Sequence, residues 1–170
     1  MPKGLKQESA MVDIGFSVTE SGPNTFTQGS VDLNLSPLDR EVFVVLAVNM
    51  DPFNCDAIAA VDTQVASSLT STSQTAVQNL SNSNCMANAL CSIKAAGFVD
   101  GGVGFLTGAI ETPPATLEYI GIIATNDFFV QVKGTGNAAA KGVSGKLYGY
   151  RAKASADIYA ALVQSEVLSA

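Results

Sequence analysis

Leu117–Arg151 reads LEYIGIIATNDFFVQVKGTGNAAAKGVSGKLYGYR, and its side-chain rhythm decides the fold class. As a strand, Leu117–Thr125 places Leu117, Tyr119, Gly121 and Ile123 on one face and Glu118, Ile120, Ile122 and Ala124 on the other. Phe128, Val130 and Val132 then alternate with Phe129, Gln131 and Lys133, the period of two that marks a half-buried strand. The GTGN at 134–137 supplies residues that tolerate positive φ, so a tight hairpin is expected there. Val143, Leu147 and Tyr148–Tyr150 form another β-like run. The stretch predicts the C-terminal part of an antiparallel β-sandwich.

Working outward, residues 1–9 read as a polar N-terminal arm carrying Lys3 and Lys6, and 10–170 as one domain. Val12, Ile14, Phe16 and Val18 alternate with polar or small residues as a strand with one buried face. Phe26, Val31, Leu33 and Leu35 mark a second strand, with a bulge expected at Gly29. Glu41–Met50, EVFVVLAVNM, is apolar on both faces: Val42, Val44, Leu46 and Val48 on one, Phe43, Val45 and Ala47 on the other. A strand buried on both sides lies centrally in a layered fold or under a neighbouring subunit, and Pro52 ends it. Thr63–Ser73 is β-prone with Val65 and Leu69 inward, and Thr75–Leu80 is expected to pair with it. Asn84–Ala96, NCMANALCSIKAA, reads as a short helix, with Met86, Leu90 and Ile93 at helical spacing and Gly97 as its stop. Phe98–Gly108 reads as a glycine-rich strand broken at Asp100-Gly-Gly and ended by Pro113-Pro114. Ser155–Leu168 reads as a second helix with Ile158, Leu162 and Ser165 along one face. About eight short strands punctuated by turns, with two short helices, predict an all-β sandwich or barrel.

Composition bears on partners. The chain of 170 residues is 47% hydrophobic but only 14% charged, well below the roughly 25% usual for soluble domains. So little surface charge suggests a surface covered by other subunits, the alternative being a bland β domain of the secreted type. The net charge of −6 argues against a dedicated nucleic-acid binder. Charge is unevenly spread: residues 1–130 hold four Lys/Arg against thirteen Asp/Glu, whereas 131–170 hold five against two. Lys133, Lys141, Lys146, Arg151 and Lys153, with Tyr148 and Tyr150 among them, therefore form a candidate subunit contact facing acidic loops of another copy. Lys3 and Lys6 would reach a neighbour through the arm. Charge reversal at Lys146 and Arg151 is then expected to block assembly while leaving the subunit folded. The alternative is a solvated sheet edge protected by lysines.

The residues offer little chemistry. Histidine is absent, which removes Ser-His-Asp and Cys-His catalysis, so the chain is read as a non-enzyme with no cofactor and no catalytic or metal residues assigned. Cys55, Cys85 and Cys91 lack C-x-x-C spacing and read as reduced, buried residues. Gly142-Val-Ser-Gly-Lys146 lacks the spacer and the Ser/Thr of a phosphate loop. Gly102-Val-Gly104 is only a fragment of a dinucleotide fingerprint. Asp51, Asp56 and Asp62, or Glu111 and Glu118, were they paired, would serve glycoside hydrolysis. Asp51, Asn54 and Asp56 would instead supply oxygens to Ca²⁺, though not at EF-hand spacing. Tyr148 and Tyr150 beside Arg151 and Lys153 would stack on bases or sugars. The N-terminus shows no apolar signal segment, and no apolar run approaches the ~20 residues of a membrane span. Synthesis as a soluble cytoplasmic chain is expected.

The strand order, a helix inserted after the fourth or fifth strand, the paired strands around FFVQVKGTGN, the KLYGYRAKA strand and the short C-terminal helix resemble single jelly-roll virion proteins. The low charge, the Gly/Ser/Thr/Asn-rich loops and the lack of histidine and tryptophan resemble structural proteins of marine phages. The resemblance spans residues 10–170 and implies a single jelly roll that self-assembles into a capsid shell or decorates one. It implies as partners other copies of the chain and other virion proteins, with localisation in the virion after synthesis in a host cytoplasm. The alternatives are a phage tail-tube or fibre subunit and a carbohydrate-binding jelly roll using Tyr148, Tyr150 and nearby Asp/Asn.

Overall fold

The computed structural model describes residues 2–95, 102–108 and 117–169. The strands are β1 (Leu5–Gln7), β2 (Val12–Thr19), β3 (Thr27–Asp32), β4 (Glu41–Pro52), β5 (Thr63–Thr70), β6 (Cys85–Lys94), β7 (Val103–Gly108), β8 (Gly121–Ile123), β9 (Asp127–Thr135) and β10 (Gly142–Ala154). One helix, α1 (Ala156–Leu168), ends the described chain. The first sheet runs β1-β10-β4-β8, with β2 beside β10 as the continuation of β1, and the second runs β3-β9-β5-β6-β7.

The pairing is nested. β2 pairs β10, β3 pairs β9, β4 pairs β8 and β5 pairs β6, all antiparallel, so early strands meet late ones until the middle of the chain pairs with itself. From β2 to β5 and from β8 to β10 consecutive strands alternate between the two sheets, with β5, β6 and β7 side by side in the second, and this nested order is the jelly roll. The GTGN turn is therefore no hairpin: β9 and β10 belong to different sheets, and the turn carries the chain from one to the other. Gly136 does take the expected positive φ, +71°.

The core lies between the sheets. Phe16, Phe43, Val45, Val48, Met50, Val143 and Leu147 from the first sheet face Val65, Leu69, Ala87, Ala89, Phe128, Val130 and Val132 from the second. Phe16 and Phe128 meet edge-to-face across the gap, with centroids 6.0 Å apart. A second apolar layer covers part of the first sheet's outer face. Val42, Val44, Tyr150, Ala152 and Ala154 point outward there and lie under Ile158, Tyr159, Leu162 and Val163 of α1. β4 is thus central and buried on both sides, as its sequence predicts.

Several expectations need correction. The alternation in β4 is not continuous: its register against β10 slips between Tyr148 and Gly149, leaving Leu46 unpaired. The bulge inverts the phase, so Val48 and Met50 share the core face with Phe43 and Val45. No bulge occurs at Gly29, where β3 pairs β9 in continuous register. A Cβ there would lie 2.7 Å from Val18 Cγ2, and close packing of β2 on β3 accounts for the glycine. Within NCMANALCSIKAA, Cys85–Lys94 is strand β6, flanked by β5 and β7, so α1 is the one helix among the described residues. Thr75–Leu80 is not a strand. Its loop folds over the outer face of β5 and β9: Gln131 Nε2 donates to Thr70 Oγ1 (2.7 Å) and Gln28 Oε1 (3.0 Å), and the Gln74 and Gln78 amides donate to Gln28 and Ser68. Leu117–Ile120 precedes the short β8 as loop, and the Asp100 break and Pro113-Pro114 lie outside the described residues.

Candidate interaction surface

At one end of the sandwich, three sheet-to-sheet connections converge (β2–β3, β4–β5 and β9–β10), and polar side chains tie them together. Glu20, 5% exposed, accepts from the Gly134 amide (2.6 Å) and the Lys141 amide (2.8 Å). Asn24 and Asn137 exchange two hydrogen bonds of 2.8 and 2.9 Å, and Asn137 Oδ1 accepts from the Asp56 amide. The Asp56 carboxylate accepts from the Ala138 and Ala139 amides and from Lys141 Nζ at 2.6 Å. The Lys141 bond, foremost, holds the Asp56 carboxyl below the usual carboxylate range. Lys141 and the two amides thus occupy both oxygens of the Asp56 carboxylate. Among the described residues, no three His, Cys, Asp or Glu side chains group to hold a metal.

The basic segment does not form one open patch. Lys141 is 12% exposed at its side chain and neutralises Asp56 inside the chain. Lys146 pairs with Asp13 at 2.7 Å on the outer face of the first sheet, which lowers the Asp13 pKa and raises that of Lys146. Arg151 reaches Glu41 at 3.4 Å and donates to the Leu33 and Asn34 carbonyls at 2.7 and 2.9 Å, pinning the segment between β3 and β4. Lys153 lies 3.8 Å from Asp39. Tyr150 is buried under α1, and burial pushes its hydroxyl pKa up. Lys133 is exposed on β9. In the arm, Lys3 and Lys6 are exposed, yet Leu5 is buried and residues 5–7 pair with 152–154 of the same chain.

The helix leaves the other half of the first sheet's outer face open. There Gly15, Asn49, Asp51, Ser144, Lys146 and the half-buried Tyr148 line a shallow concavity of about 460 Å³. Tyr148 and Tyr150 share this face, two residues apart on β10, but only Tyr148 reaches the concavity.

The surface that sequence reasoning missed is β7. It is the last strand of its sheet among the described residues, and Val103, Phe105 and Leu106 are 50%, 52% and 73% exposed. Phe105 and Leu106 are neighbours in a strand and point to opposite sides, so both faces of the strand are apolar and bare. The signal is present in VGFLTG, an apolar run without a charge, but its glycines and the preceding Asp100-Gly-Gly read as a glycine-rich, broken strand.

No family model and no curated protein matches the chain. One solved structure, from Desmodium yellow mottle tymovirus, aligns at 15% identity over 92% of this chain and 95% of that one, with a TM-score of 0.31. So loose a superposition carries no weight, and the jelly-roll assignment rests on the strand order.

Proposed function

We propose that this chain is a virion structural subunit that assembles with copies of itself into a shell, or decorates one, without catalysis. The observation that carries the proposal is β7, the edge strand of its sheet among the described residues, apolar on both exposed faces. A bare apolar edge is a ready template for another chain, and 14% charged residues leave little charge to keep copies apart. The resemblance of the sequence to jelly-roll virion proteins agrees with that use, and marine phages are the source it suggests. Lys3, Lys6, Lys133 and Lys146 are exposed cations of the sequence-derived contact and would lie at the rims of such interfaces.

Light scattering with electron microscopy of the purified chain tests the proposal. Rings, capsomers or closed particles are expected, and the double substitution Phe105→Asp, Leu106→Lys should leave a folded monomer. Tubes or fibres would point to the tail-subunit alternative. A monodisperse 17.5 kDa species at high concentration would overturn the shell proposal.

The Tyr148 concavity favours a second reading, a glycan-binding jelly roll in which a sugar ring stacks on Tyr148 and its hydroxyls meet Asn49 and Asp51. That reading predicts a monomer whose glycan binding disappears in Tyr148→Ala.

A further inference from the structure

Cys55 lies in the β4–β5 loop and Cys91 in the middle of β6, 36 positions apart, yet their sulfurs are 2.9 Å from each other. Two unbonded sulfurs in ordinary packing stand further apart, and a disulfide of about 2.0 Å needs closure by less than an ångström. Both ends are fixed by other contacts. Cys91 sits between Val65 of β5 and Leu106 of β7 in the sheet. Cys55 is placed by its neighbour Asp56, whose amide donates to Asn137 and whose carboxylate holds Lys141. Both sulfurs border the inter-sheet core, with Cys55 7% exposed and Cys91 half-buried.

Cys85 has no such partner. It begins β6 six residues before Cys91, about 20 Å away along an extended strand, and its thiol donates to the Ala87 carbonyl at 3.4 Å. Three cysteines allow three pairings on paper, and the fold selects one.

We propose that Cys55 and Cys91 close an intramolecular disulfide when the folded chain meets a small-molecule disulfide oxidant, while Cys85 remains a thiol. Cys91, the more exposed of the pair, gives up its proton to solvent and attacks the oxidant RSSR. A mixed disulfide forms and one RS⁻ leaves. Cys55 then loses its proton and attacks the Cys91 sulfur, expelling the second RS⁻. Two protein thiols and one RSSR become one protein disulfide and two RSH, with the two thiol protons ending on the two leaving groups. Burial, and then the hydrogen bond to Cys91, push the Cys55 thiol up to about 11. That makes Cys55 the poorer first nucleophile and fits the order of steps. The closed loop would fasten the β4–β5 connection to β6 of the second sheet and restrict the unfolded chain. The inference stands whether or not the chain assembles into a shell.

The test treats the full purified chain with oxidised glutathione, then counts thiols after denaturation and maps peptides without reduction. One remaining thiol, a Cys55–Cys91 peptide, a mass lower by two hydrogens and a melting temperature higher by about 5 °C or more are expected. Dithiothreitol should reverse all four, and Cys85→Ser should leave the linkage intact. Three thiols remaining after treatment, a linkage through Cys85, or a stable glutathione adduct without ring closure would each overturn the proposal. Because wild-type thiol counting decides the matter, failure of Cys55→Ser or Cys91→Ser to fold would not obscure it.

Discussion

Glu166 is a buried carboxyl whose environment favours its protonated form. It lies at the end of α1, 7% exposed, and its carboxylate accepts from the Ala124 and Thr125 amides at 2.9 and 3.1 Å and from the Thr125 hydroxyl. Burial outweighs these bonds and holds its pKa above the usual 4.5. A carboxyl whose pKa is raised by folding binds its proton more tightly in the native state. Its contribution to stability is complete below the unfolded pKa and is lost as pH rises through the folded one. The melting temperature of wild type relative to Glu166→Gln should therefore fall as pH is raised from about 4 to about 7, and parallel curves would refute the assignment. Glycines give a second contrast at the same scale. A Cβ on Gly145 would lie 2.6 Å from the Phe16 ring and against the Asn49 carbonyl oxygen, whereas one on Gly15, in the adjacent strand, would meet nothing within 4 Å. Gly145→Ala should cost about 1–3 kcal/mol and lower the melting temperature by about 3–10 °C. Gly15→Ala should be neutral or slightly stabilising. Equal effects in thermal melts would contradict the packing described.

At the scale of elements, strands with clean alternation were legible. β2, β9 and the doubly buried β4 all stand where Ile14-Phe16-Val18, Phe128-Val130-Val132 and EVFVVLAV place them. β6 was not. Its Ala, Leu and Met are good helix formers, and only pairing on both sides holds it extended. The clue that competes with the helical spacing is the alternation of Ala87, Ala89, Cys91 and Ile93, which face the core, with Asn88, Leu90 and Ser92. The β4 bulge was hidden because every residue around Leu46 is apolar, so a phase slip leaves no mark in the pattern. The polar knot at the loop end escaped for a different reason: its members Glu20, Asn24, Asp56, Asn137 and Lys141 are up to 121 positions apart and only the fold joins them. Lys141 serves that knot, and its replacement by Met leaves the Asp56 carboxylate with its backbone partners alone. Lys141→Met should lower the melting temperature by several degrees, and most of that loss should vanish in Lys141→Met, Asp56→Asn, where no unpaired carboxylate remains. Additive losses in the two variants would show that the pair is not coupled.

At the scale of the molecule, two contact mechanisms compete, and they differ in their response to salt. Composition suggested head-to-tail attraction between a basic C-terminal region and acidic loops. Folding, however, spends most of those cations within the chain: Lys141 on Asp56, Lys146 on Asp13, Arg151 on Glu41 and Lys153 near Asp39. Arg151 also holds the carbonyls of Leu33 and Asn34, so reversing its charge would loosen the subunit as well as any contact and cannot report on assembly alone. Among the described residues, Val103, Phe105 and Leu106 instead leave apolar side chains exposed together on one strand, β7. Attraction between exposed charges is largely screened once the Debye length shrinks to a few ångströms, whereas burial of apolar surface is not. Assembly through β7 should therefore persist when salt is raised from about 0.05 M to about 1 M, and should be lost in Phe105→Asp, Leu106→Lys at either salt. Lys133→Glu, which touches an exposed cation without disturbing an internal pair, should change it little. Light scattering across that salt range separates the mechanisms, because assemblies that dissolve in salt and fail in Lys133→Glu would return the contact to the basic segment and remove β7 from it.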